Sequence, residues 1–132
     1  MRDFDGDVNH TDDLVIVTMA SNRFFYYSGV GDGTLTDVAS YPAGVEPYSV
    51  AAEDFNGDGN IDVAVAVGGE GENHILVFPG NGDGTFGDPL TITVGSSPHF
   101  IVAADFDGDG QIDLAVANSG SDTISILFNN SR

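Results

Sequence analysis

Asp105-Phe-Asp-Gly-Asp-Gly-Gln-Ile-Asp113, followed at once by Leu114-Ala-Val-Ala117, is the stretch on which the fold turns. Asp105, Asp107, Asp109 and Asp113 stand at positions one, three, five and nine of a nine-residue loop. Four carboxylates so close repel one another unless a cation lies among them. Hard oxygen donors at alternating positions, with glycines that let the backbone curl, suit calcium. The apolar run after the loop reads as a buried strand.

The same stretch occurs earlier as Asp54-Phe-Asn-Gly-Asp-Gly-Asn-Ile-Asp62, running into Val63-Ala-Val-Ala66. Its oxygen-bearing side chains at the matching places are Asp54, Asn56, Asp58 and Asp62. A looser copy opens the chain with Asp3, Asp5 and Asp7 and reaches Asp13-Leu-Val-Ile-Val17. In this copy Val8 replaces a loop glycine and two extra residues precede Asp13, so either Asp12 or Asp13 can close the loop. Asp3, Asp54 and Asp105 are spaced 51 residues apart, as are Gly31-Asp-Gly-Thr-Leu35 and Gly82-Asp-Gly-Thr-Phe86. A period of this length marks a repeat architecture.

Within a repeat, one strand follows another. Ser49–Glu53 and Phe100–Ala104 read as inner strands, Asp62–Val67 and Asp113–Ala117 as second strands, and His74–Phe78 and Thr123–Phe128 as third strands. Gly80-Asn-Gly-Asp-Gly84 is a turn leading to a fourth strand near Leu90–Val94. No segment keeps a helical period. The expectation is an all-β chain of β-propeller blades, each of four antiparallel strands, with ten strands in about two and a half blades. Residues 1–44 form a first blade without its inner strand, 45–95 a complete blade, and 96–132 a third without its outer strand. Such edges call for further blades of a longer chain or other copies of the same chain.

Composition narrows the function. The net charge is -18, and the basic residues are three arginines, Arg2, Arg23 and Arg132. That surface repels phosphate backbones and anionic lipid, which argues against nucleic acid and against membrane insertion, and no apolar stretch is long enough to span a bilayer. The absence of cysteine excludes disulfides and thiolate chemistry. No signal peptide is visible, and Met1 stands almost directly before a ligand loop, as expected of a fragment or a processed chain.

The pattern Asp-Phe-[Asp/Asn]-Gly-Asp-Gly-x-x-Asp-[Leu/Val]-Ala-Val, with Gly-Asp-Gly-Thr-[Phe/Leu], resembles the FG-GAP/VCBS repeat family over nearly the whole chain. Such repeats build the calcium-binding propeller of integrin α-chains, some fungal lectins and many secreted bacterial proteins. The resemblance implies one calcium per acidic loop, up to three in all, with the carbonyls of Asn60 and Gln111 joining the side-chain ligands. It also implies an extracellular or cell-surface location. The loop is not an EF-hand, since it lacks the glutamate at position twelve and is flanked by strands. Family membership leaves the ligand open, because one blade type serves adhesion, sugar binding and scaffolding.

No catalytic constellation emerges. His10, His74 and His99 are scattered without triad or metal spacing and read as surface or loop residues, and no nucleophile elbow is present. The chain is therefore expected not to be an enzyme. Asp32 and Asp83 read as turn residues. Phe24-Phe25-Tyr26-Tyr27 should bury two rings between blades and turn two outward, where a sugar or partner could stack. Tyr48 and His99 occupy equivalent places at the entry to an inner strand, near one mouth of a ring. Sequons at Asn9-His-Thr11 and Asn129-Asn-Ser131 are candidates for N-glycosylation. The leading reading is a calcium-stabilised, non-catalytic propeller segment of an extracellular interaction or adhesion protein. A self-assembling structural subunit (ring or filament), a lectin and an accessory module of a polysaccharide-degrading enzyme are the alternatives.

Overall fold

A computed structural model describes residues 2–8 and 10–130 of the chain. Ten strands follow one another: β1 (Leu14–Thr18), β2 (Arg23–Gly29), β3 (Leu35–Pro42), β4 (Pro47–Glu53), β5 (Asp62–Val67), β6 (His74–Phe78), β7 (Leu90–Thr93), β8 (Pro98–Ala104), β9 (Asp113–Asn118) and β10 (Thr123–Leu127). They form three antiparallel sheets, β1-β2-β3, β4-β5-β6-β7 and β8-β9-β10. Every neighbouring pair is a hairpin of consecutive strands. The all-β reading holds, and the sheets are β-propeller-like blades.

Two residues of difference in the inner strands have a local cause. β4 and β8 begin at Pro47 and Pro98, two positions before the apolar runs, with a register shift against β5 and β9 at each proline. Proline lacks the N–H for a ladder bond and is tolerated only at a strand's start or a bulge. The other bounds move by one residue: β9 extends to Asn118, while β7 and β10 stop at Thr93 and Leu127.

The second sheet lies between the other two, which explains why β5 is buried on both faces along its whole length. Successive side chains point to opposite faces. Val63 and Val65 therefore pack towards the first sheet, in a cluster with Phe4, Phe24, Tyr26, Phe78 and Phe86. Ala64 and Ala66 point the other way and meet Ile101, Leu114 and Val116 of the third sheet. The aromatic run of β2 divides as alternation demands. Phe24 and Tyr26 are fully buried between sheets, while Phe25 and Tyr27 are only half-buried.

Among the described residues the third sheet is covered on one side only. Ile101, Leu114 and Val116 are buried, but Phe100, Val102, Ile124 and Ile126 are exposed on the opposite face. Each of the exposed residues repeats a position that, in the second sheet, faces its neighbour: Ala51 becomes Val102, and Ile75 becomes Ile124.

Candidate metal loops and their anchors

Each acidic loop joins two strands or precedes one, and its curl is set by carboxylates that accept the loop's own N–H groups. Asp54 Oδ1 accepts Gly57 N–H at 2.7 Å and Oδ2 accepts Gly59 N–H at 2.9 Å. Asp105 repeats this with Gly108 at 2.7 Å and Gly110 at 2.9 Å. Asp3 holds Gly6 N–H at 2.7 Å. Glycines take up the left-handed turns this wrapping requires, at φ 77° and 89° for Gly57 and Gly59 and 82° and 88° for Gly108 and Gly110. Positions three and five add shorter turns: Asp58 N–H donates to Asn56 Oδ1 and Asn60 N–H to Asp58 Oδ1. Asp109 N–H to Asp107 and Gln111 N–H to Asp109 repeat them.

The outcome is convergence of the carboxylates at positions one, three and five. In the first loop Asp3, Asp5 and Asp7 each bring an oxygen within 4.8 Å of the others, and in the third Asp105, Asp107 and Asp109 do the same. The second loop carries Asn56 at position three, contributing an amide oxygen instead of a third charge. The Asp107 carboxyl shows the cost of crowding. The N–H of Asp109 pulls its pKa down, yet partial desolvation and the carboxylates of Asp109, Asp113 and Asp105 together hold it above the ordinary range. A divalent cation would remove that repulsion, and three hard oxygens in one loop fit it. The acidic clusters can hold a metal ion.

The aspartate at position nine, read from the sequence as a further ligand, also has a structural task. Asp62 is 1% exposed, and it accepts Phe55 N–H through Oδ2 at 3.0 Å and Gly80 N–H through Oδ1 at 2.8 Å. Asp113 accepts Phe106 N–H and Asn129 N–H, each at 2.8 Å. Asp13 accepts Phe4 N–H at 2.7 Å and Gly29 N–H at 2.8 Å. This aspartate thus ties the loop to the backbone at the end of the third strand of its repeat. In the first repeat the closing residue is Asp13; Asp12 is exposed. Burial raises the Asp62 pKa, opposed by the N–H bonds from Gly80 and Phe55.

The first loop has an addition of its own. The Tyr26 hydroxyl donates to Asp13 Oδ2 at 2.9 Å and lies 3.2 Å from Asp5 Oδ2, which also accepts Ser28 Oγ at 2.9 Å. Burial, then Asp13 and Asp5, push the Tyr26 phenol well above its usual range. His10 Nδ1 lies 3.3 Å from Asp3 Oδ2. No local pattern signals the Tyr26 contacts, because Tyr26 is far from the loop in the chain and reaches it through the β1-β2 pairing.

The remaining positions fall as follows. Gln111 is 9% exposed, and its side-chain amide donates to Asp109 Oδ2 at 2.9 Å. Asp32 and Asp83 each accept the N–H and hydroxyl of the threonine two residues on, Thr34 and Thr85, as turn aspartates do. His74 opens β6, as the third-strand reading has it, 3.1 Å from Glu72. Tyr48 and His99 come together from β4 and β8, with ring centroids 3.9 Å apart and planes at 18°. Ser119 Oγ lies 2.9 Å from His99 Nδ1, a contact that only the fold creates. Asn9 lies outside the described residues. The Asn129 amide nitrogen, the atom a glycan would use, donates to the carbonyls of Phe55 and Ile112. Among the described residues no helix is long and apolar enough to cross a membrane.

Comparison with known proteins agrees with this geometry. The FG-GAP-like repeat family matches residues 3–65 and again 54–116. Cartilage acidic protein 1 of Xenopus tropicalis is 31% identical over 100 residues, covering 71% of this chain and 16% of that protein. The chain therefore spans about a sixth of that relative's length. No solved structure matches.

Proposed function

As the chain belongs to the FG-GAP-like repeat family, we propose that it is a calcium-stabilised, non-catalytic propeller segment of an extracellular interaction or adhesion protein. The observation that carries this reading is the convergence of Asp105, Asp107 and Asp109, with oxygens within 4.8 Å. Calcium takes six to eight oxygens in a flexible shell, so a loop of carboxylates and backbone carbonyls meets its demand. When bound, the ion supplies charge neutralisation. The chain supplies the rest, with glycines and N–H bonds that preshape the loop and a buried aspartate that fastens it to the sheet. Binding to the folded state alone then stabilises it by mass action.

The test is thermal. Melting in millimolar calcium should occur well above melting in EDTA, and restoring calcium should restore the transition. An unchanged melt would sink the calcium reading while leaving the fold intact. A second reading, carbohydrate binding, is favoured by the stacked Tyr48 and His99 with Ser119 beside them. A glycan array probed with wild type and with Tyr48→Ala decides it; no bound sugar, or equal binding by both, removes it.

A further inference from the structure

The first acidic loop departs from the other two, and side chains of β2 take a part in shaping it. Val8 stands at loop position six, where the second and third loops have Gly59 and Gly110. Those glycines lie at φ 89° and 88° and give their N–H groups to the first aspartate of the loop. A β-branched residue is a poor fit for that left-handed turn. Asp5, at position three of the first loop, accepts Asp7 N–H through Oδ1 at 3.1 Å. Its Oδ2 accepts the Ser28 hydroxyl at 2.9 Å and lies 3.2 Å from the Tyr26 hydroxyl. Tyr26 shares its single hydrogen between this loop carboxylate and the anchor Asp13, 2.9 Å away. Tyr26 and Ser28 stand three and one residues before Gly29, whose N–H holds Asp13. The same count back from Gly80 reaches Val77 and Pro79, and back from Asn129 it reaches Ile126 and Phe128. None of these four has a hydroxyl, so the arrangement on Asp5 is peculiar to the first loop.

We propose that Tyr26 and Ser28 are positioning residues for the ion of the first loop. They hold the Asp5 carboxylate in the orientation that brings its oxygen within 4.8 Å of those of Asp3 and Asp7. The Tyr26 hydroxyl is itself fixed by packing. Its ring is fully buried and meets Phe4 and Phe86 edge-on, at centroid distances of 5.7 and 6.2 Å. The turn between β6 and β7 closes in on another side, where a Cβ on Gly84 would come within 2.8 Å of Tyr26 Cε1. Phe86 and Gly84 belong to the second repeat, so the first loop is set from across the interface between the first two sheets. Hydrogen bonds from outside a ligand set orient the ligands, and losing one costs about 10–100-fold in metal affinity. The inference rests on the calcium reading and refines it, since one site depends on strand hydroxyls that the other two lack. Tyr26→Phe still leaves Asp13 with the N–H groups of Phe4 and Gly29, and the packed ring stays in place.

The probes are terbium and calcium, added to the full 132-residue chain. Terbium takes oxygen ligands as calcium does, and it emits when a nearby tyrosine passes it absorbed light. The chain has no tryptophan, and among the described residues Tyr26 is the tyrosine whose hydroxyl reaches a loop carboxylate. Emission excited through tyrosine therefore reads the first loop, and displacement by calcium gives that loop's calcium affinity. Ser28→Ala keeps the tyrosine and should weaken both ions at this loop by about tenfold, while Ser28→Thr, which keeps a hydroxyl, should stay near wild type. In calcium calorimetry Tyr26→Phe should weaken one site by about 10–100-fold and leave the others unchanged. Should Tyr26→Phe fail to fold, the two serine variants decide alone. Unchanged first-loop affinity in Ser28→Ala, or equal weakening of every site, overturns this inference and leaves the calcium reading standing. So does a wild type whose first loop takes no ion while the others do. A wild type that binds neither ion overturns both.

Discussion

Gly80 N–H donates to Asp62 Oδ1 at 2.8 Å, closing a link between the end of an acidic loop and the end of the third strand of its sheet. The same link recurs between Gly29 and Asp13 and between Asn129 and Asp113, each at 2.8 Å. A carboxylate with both oxygens committed to buried N–H groups is an anchor of the fold, whatever ion the loop holds. Its loss should be felt with and without metal.

Asp62→Ala strands the N–H groups of Phe55 and Gly80, and each unsatisfied buried donor costs about 1–3 kcal/mol. Urea denaturation in EDTA should show a loss of about 2–6 kcal/mol from the pair. A loss seen only in the presence of calcium would show that Asp62 serves as a ligand and not as an anchor.

Asp105→Asn combined with Asp109→Asn should remove one calcium from the stoichiometry measured by calorimetry and leave the other loops titrating normally. These two side chains belong to the convergent group of the third loop, and neutral amides cannot supply its charge. An unchanged stoichiometry would place the ion elsewhere.

Phe86→Ala deletes a ring that four other rings surround, and a buried phenylalanine lost in this way costs about 3–5 kcal/mol. Ile124→Ala, at a side chain 73% exposed, should change stability by no more than about 0.5 kcal/mol. Chemical denaturation of the two variants side by side gives the comparison.

Gly80→Ala places a Cβ 2.0 Å from the Ile61 carbonyl oxygen, in backbone that cannot yield cheaply. A loss of about 1–3 kcal/mol or more is expected from the forced shift. Gly71→Ala meets open space and bears only the strain of its positive φ, about 1 kcal/mol. Melting temperatures should rank the variants in that order.

Asp83 offers a pH test away from the metal loops. The Thr85 hydroxyl, and then its N–H, favour the charged carboxylate and lower its pKa from the ordinary 3.8. Because the folded value is the lower one, the stabilisation is full above the unfolded pKa. It is lost as pH falls through the folded value. Carboxyl NMR titration of Thr85→Val should show Asp83 moving back towards 3.8.

Much of this was legible in the chain itself. Alternating apolar residues, acidic loops at a spacing of 51 and Gly-Asp-Gly-Thr turns are local signals, and they specified ten strands, their order and the residues at loop positions one, three and five. Strand pairing of consecutive hairpins needs only short turns, so sequence order became sheet order. Phe24 and Tyr26 were separable from Phe25 and Tyr27 because a strand's faces alternate.

What tertiary structure alone decided is which backbone N–H groups the position-nine aspartates hold and which side chains fill each interface. Spacing places Asp105 and Asp113 in one set; three-dimensional placement adds the N–H groups of Phe106 and Asn129 as partners of Asp113. Tyr26 reaches Asp5 and Asp13, Tyr48 reaches His99, and Phe86 reaches four rings through contacts between strands remote in sequence. Local preferences set which strands form and in what order. How those strands pack sets which side chains meet, because contact depends on distances that the chain acquires only when its sheets stack.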